Sequence, residues 1–142
     1  MRNPSLLTLL AAACLSAQTV ALNSLEKEFQ DAMEGVLLEG QSTHDGSPGT
    51  SPDKYAIDKV VKTGDGQWTF YAQIEMRGQM VTIPMPLQVK WAGDTPVITL
   101  TDQALPGLGT YTARVVVYRG QYAGTWSGPK GGGKVFGRIV KK

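Results

Sequence analysis

Residues 68 to 91 read WTFYAQIEMRGQMVTIPMPLQVKW, with apolar side chains on alternate positions either side of one Arg-Gly pair. Trp68, Phe70, Ala72, Ile74 and Met76 share one face of the first half, and Val81, Ile83, Met85, Leu87, Val89 and Trp91 share one face of the second. A period of two belongs to extended backbone, so the pattern predicts two half-buried antiparallel strands. The "RGQ" between them predicts a tight hairpin turn.

The same grammar runs through most of the chain. Further strands are predicted at about 36–43, 54–63, 96–102, 110–119, 121–127 and 134–141, which makes eight with the first two. The connections "GDGQ", "AGD", "PGLG", Gly120 and "GPKGGG" carry the glycine that hairpin turns use for positive φ. Eight short strands in meander order predict an all-β, antiparallel barrel or sandwich. Pro84 and Pro86, two residues apart, withhold their donors from the same side, which is expected to be an unpaired edge or a bulge. The run His44 to Asp53, "HDGSPGTSPD", is expected to form a mobile loop. Asn23 followed by Glu26 has the form of a capping box, and Leu25, Phe29, Ala32 and Met33 recur at helical spacing. A short helix is predicted from about Ser24 to Glu34, ending at Gly35.

The chain opens on Arg2 followed by "SLLTLLAAACLSA", an apolar run too short for a bilayer span, which is the pattern of an export signal. Thr19 and Ala21 suit cleavage after Ala21, so residues 1–21 are expected to be removed and 22–142 to form a single all-β domain, periplasmic or extracellular. No transmembrane segment is expected in the mature chain. The single cysteine, Cys14, lies in "LAAAC", but Ala11 stands where lipoprotein boxes usually carry Leu, so cleavage is favoured over a lipid anchor at Cys14. A mature chain without thiols excludes disulfides, thiolate nucleophiles and cysteine-ligated metals. A domain of this size buries roughly two-thirds of its unfolded surface.

Charge is unevenly spread. Residues 22–102 hold all twelve acids and six bases, whereas 103–142 hold seven bases and no acid. First and last strands lying side by side would neutralise this internally.

Several chemistries can be weighed on these residues. The window Gly128 to Val135, "GPKGGGKV", nearly spells a phosphate-binding loop, but Val135 lacks the required hydroxyl and "VFGRIVKK" offers no helix N-terminus. It is read as a flexible hairpin loop, with no nucleotide or other cofactor implied. His44, between Ser42 and Asp45, is the only histidine and is read as an exposed loop residue, since a triad gathers its parts from separate elements. A lone histidine makes no metal site. Among the carboxylates Asp53, Asp58, Glu75, Asp94 and Asp102, nothing singles out a pair for acid/base work.

Gly124-Thr125-Trp126, in the predicted seventh strand, resembles the G-x-W signature of the calycin barrels, the lipocalin, fatty-acid-binding and avidin group. That family carries the motif on its first strand. The resemblance implies that Trp126 closes one barrel end beneath an Arg from a late strand, a part Arg138 would take through a cation–π contact. It also implies a small apolar ligand in the barrel mouth. The ending "YAGTWSG…GG…FGRI" is similar to that of uncharacterised exported bacterial proteins.

Three functions follow as expectations. The first is a non-catalytic binding module for a small apolar ligand, lined by Trp68, Phe70, Ile83, Met85, Leu87 and Trp91, the same residues a dry core requires. The second is an interaction protein that meets an anionic envelope polymer through its basic C-terminal hairpins. Arg114 alternates there with Val116 and Tyr118, while Lys134, Phe136 and Arg138 share a face. A hydrolase is the third.

Overall fold

The computed structural model describes residues 20–142, so Cys14 and nearly all of the expected export signal lie outside the described residues. Asn23 begins the folded chain by capping helix α1 (Ser24–Met33). Its side chain accepts from the Glu26 amide at 2.9 Å, and Glu26 accepts from the Asn23 amide at 3.0 Å. This reciprocal pair satisfies two donors that a helix start leaves free. Gly35, at φ +60°, turns the chain out of the helix.

Eight strands follow: β1 (Val36–Ser42), β2 (Ser51–Gly64), β3 (Gln67–Met76), β4 (Gln79–Ala92), β5 (Thr95–Leu105), β6 (Gly109–Tyr118), β7 (Gln121–Gly128) and β8 (Gly131–Lys141). Each pairs antiparallel with the next, and β8 pairs with β1, so the sheet is a closed barrel. The expected choice between barrel and sandwich thus falls to the barrel. The expected "RGQ" turn has Arg77 at φ 52° and Gly78 at φ 77°, the two successive positive values of a type I′ turn. Arginine is a poor occupant of the first of these positions. Arg77→Asn should raise stability by about 0.5–1 kcal/mol, read from urea unfolding midpoints.

Tilted strands in a barrel meet their two neighbours over offset windows. β2 pairs with β1 through Ser51–Ile57 and with β3 through Ala56–Gly64. β4 pairs with β3 over Gln79–Gln88 but with β5 only over Gln88–Ala92. The Val89 amide donates to Gly66 O, just before β3, at 2.9 Å, so odd-numbered amides of β4 point toward β3 and even-numbered ones away. Pro84 and Pro86 therefore withhold donors on the side where β4 has no β5 partner. The unpaired edge expected from these prolines is present, and the stagger lets the barrel close without it.

Two expectations are corrected. The loop before β2 ends at Thr50, because Ser51–Asp53 already pair with Gly40–Ser42. Pro52 is accommodated there because β3 does not reach that end of β2. The glycines of "GPKGGG" are not a flexible loop: the turn is Pro129–Lys130, and Gly131–Gly133 pair with Trp126–Gly128. Gly133 needs to be glycine, since a Cβ there would run into the carbonyl oxygen of Thr43.

Inside, Trp68, Phe70, Val36, Val60 and Val89 are almost completely buried. Helix α1 covers one mouth, with Phe29 and Met33 turned inward. The Phe29 ring meets Trp68 edge-on at 5.3 Å and Trp91 at 6.1 Å. Eight strands enclose a space that side chains can fill, and here the buried apolar residues form one cluster running from Phe29 and Met33 to Tyr122 and Val135.

Polar contacts fix the helix over the mouth. Lys62 Nζ lies 2.8 Å from Glu26 Oε1, with the two side chains only 11% and 12% exposed, and Gln30 Nε2 donates to Val60 O at 2.9 Å. The Lys62 hydrogen bond holds the Glu26 carboxyl below its ordinary value, against the opposing effect of burial. A lowered folded-state pKa contributes stability above the unfolded value of 4.5, lost as pH falls through the folded one. Lys62→Met leaves Glu26 without its ammonium partner and should cost about 3 kcal/mol at pH 7. The loss should shrink toward pH 3, because without the Lys62 ammonium the buried Glu26 of the variant can shed its unpaired charge by taking up a proton. Urea unfolding at the two pH values checks this, and an equal loss at both would assign the cost to packing alone.

Candidate functional site

The six side chains expected to line an apolar site all lie on the inner faces of β3 and β4. Trp68, Phe70, Ile83 and Leu87 are buried, while Met85 and Trp91 are half-buried and packed against the same core. A surface recess of about 560 Å³ between α1 and the β6–β7 turn includes one of the six, Trp91. Phe29 and Met33 occupy the mouth those residues would open into.

The expected contact of Trp126 with Arg138 is not formed. The β7–β8 register sets Trp126 opposite Gly133 and Arg138 opposite Gln121. On β8 the odd-numbered residues Val135 and Ile139 join the core, so Arg138 points outward. Its side chain is 73% exposed and reaches Glu39 at 3.5 Å. The ring that meets Trp126 is His44, edge-on at 5.1 Å, from the loop before β2. His44 is exposed, as expected of a loop residue, and Ser42 is buried.

An inner row that sequence reasoning missed runs Tyr122, Gly137, Gly40, Asp53 across four strands. The two glycines leave bare wall beneath the Tyr122 ring, and its buried hydroxyl has no hydrogen-bond partner among the described residues. Burial, then the charge of Asp53, push this phenol up to about 12.

The basic candidates Arg114, Lys134 and Arg138 are brought together on the outer face of β6–β8. Cross-strand register makes three parallel rows: Tyr118, Gln121, Arg138, Glu39; then Val116, Ala123, Phe136, Gln41; then Arg114, Thr125, Lys134. Period-two alternation puts each row on the solvent side. Val116, Tyr118 and Phe136 remain 41%, 49% and 44% exposed. Ala123, small and central, leaves a groove of about 790 Å³ between Tyr118 and Phe136.

The charges around this groove are mostly positive. Arg119 lies 5.2 Å from the Tyr118 ring centroid, and Lys54 reaches Glu39 at 3.2 Å. Arg114 donates to Leu100 O and to Thr101 Oγ1. Lys134 forms no ion pair among the described residues. Glu39 is the carboxylate that lines the groove, and the next same-face row, Thr112, Ser127, Gly132, sets Asp102 on Thr112 and Asp45 on Gly132, one step from Arg114 and Lys134. Part of the C-terminal charge is neutralised elsewhere: Lys142, just past β8, pairs with Asp58 of β2 at 2.8 Å. That contact holds the Asp58 carboxyl below its ordinary value.

The remaining carboxylates are scattered. Asp53 accepts from Tyr55 at 2.7 Å, Asp94 from Thr95, and Asp102 from Thr112 at a bulge in β5. Among the described residues no three His, Cys, Asp or Glu side chains gather as metal ligands, and no helix is long and apolar enough to cross a membrane. Compared with protein-family models, curated proteins and solved structures, the chain matches none of them.

Proposed function

We propose that the protein is an exported, non-catalytic binding module that takes an anionic polymer of the cell envelope on the outer face of β6–β8. One observation carries the reading. Arg114, Lys134 and Arg138 stand on β6 and β8 beside half-exposed Val116, Tyr118 and Phe136, and Glu39 is the one carboxylate that lines the groove between them. Cations interleaved with apolar and aromatic groups attract a polyanion and give it surface to rest on. The inner apolar set supports a ligand site less well, because Phe29 and Met33 already pack where a ligand would enter.

Binding should fall steeply with salt, since each anion neutralised releases condensed counterions. Between about 50 and 200 mM salt, affinity for a polyanion should drop by more than about tenfold, and Lys134→Glu with Arg138→Glu should weaken it by about tenfold or more at the lower salt. Titration calorimetry reads both. Binding indifferent to salt and to the charge reversals would overturn the proposal.

A further inference from the structure

We infer that the polymer is an acidic polysaccharide, held with its sugar rings against Tyr118 and Phe136. The inference rests on the outer-face reading and adds the chemistry of the ligand. Charge attraction alone needs only lysine and arginine, yet two aromatic rings here stay half exposed on either side of Ala123. Tyr118 and Phe136 lie two strands apart and one same-face step along, about 12 Å between backbones by strand geometry. That span takes more than one ring of a linear glycan. Arg119 packs on the Tyr118 ring and fixes it while leaving it half exposed. An aromatic platform so fixed offers area at little cost in side-chain entropy.

The polar groups of the groove favour a sugar over a denser polyanion. Glu39, which lines the groove, is held by Arg138 at 3.5 Å, and Gln121 lies between Arg138 and Tyr118 in the same row. A carboxylate and a carboxamide accept hydrogen bonds from hydroxyls, whereas a phosphate brought against Glu39 is repelled. Single-stranded nucleic acid would also stack, but it carries a phosphate at every residue. A glycan with spaced acid groups can set its acids against Arg138 and Lys134 and its hydroxyls against Glu39 and Gln121.

The test compares polygalacturonate, polyphosphate and an oligothymidylate at one ionic strength. They are titrated into the wild type, the Tyr118→Ala/Phe136→Ala double variant and the Lys134→Glu/Arg138→Glu double variant. The aromatic positions are solvent-exposed, so folding should survive, and melting curves verify it. The aromatic variant should lose at least tenfold in affinity for polygalacturonate while holding polyphosphate within about twofold, and the charge variant should weaken on both. If the aromatic variant binds polygalacturonate as the wild type does, or the wild type prefers polyphosphate or oligothymidylate, the sugar inference falls and the polyanion reading stands. If the wild type binds none of the three, both fall. Sedimentation showing a concentration-dependent dimer that the aromatic variant abolishes would give the face to a second copy of the chain and overturn the inference.

Discussion

Gly40→Ala should destabilise the barrel by about 3 kcal/mol or more, among the larger effects a single added methyl can produce. Its Cβ would fall within the radius of the Phe136 carbonyl oxygen, 2.6 Å from the Tyr122 hydroxyl and 2.8 Å from the Gly137 Cα. The first and last of these neighbours are backbone of β8, the strand whose pairing with β1 closes the barrel. Relief therefore requires the two strands to part, and a flexible side chain cannot absorb the strain. Urea unfolding supplies the number. Gly64→Ala is the control, because a Cβ there would meet nothing nearer than 3.5 Å, and its cost should stay within about 0.5 kcal/mol. Equal small losses at both positions would show that the closing strands yield easily.

Phe29→Ala should cost about 3–5 kcal/mol, the range for truncating a buried aromatic side chain. The ring is 4% exposed and touches Trp68, Phe70 and Trp91, so removing it takes the plug out of the mouth. Tryptophan emission should move to longer wavelength as water approaches Trp91 and Trp68, and an apolar dye should begin to bind. A loss below about 1 kcal/mol with unchanged emission would mean that α1 docks loosely. That result would restore the apolar-ligand reading of Trp68, Phe70, Ile83, Met85, Leu87 and Trp91.

Local signals in the chain specified local structure well. The Asn23 and Glu26 pair placed the start of α1 and Gly35 its end to within a residue, and the alternation of residues 68–91 placed the inner faces of β3 and β4. Pro84 and Pro86 marked the side of β4 that lacks a partner. Relations across strands were less legible, because register depends on where two distant segments slide to rest. Trp126 and Arg138 look like neighbours in sequence, but an antiparallel pairing centred on the Pro129–Lys130 turn sends them to opposite faces. The Tyr122 row depends on two glycines separated by most of the chain, and no short window contains both. The clustering of Arg114, Lys134 and Arg138 was readable in part, since alternation gives each its face. Only the barrel's order makes those faces adjoin.

The short union of β4 with β5 has a consequence for how the wall comes apart. Five residue pairs hold that boundary, whereas ten hold β3 to β4. Opening should begin there, leaving one sheet that runs from β5 through β8, β1 and β2 to β4, with the amides along the β4–β5 boundary exchanging first. An opened barrel would ordinarily offer its rim to any passing chain, the first step toward fibrous aggregates. Along residues 79–87 of β4 an intruding strand would find carbonyls to bond but no amide hydrogen at positions 84 and 86. The rim adjoining the barrel's weakest line is thereby a poor template for another strand.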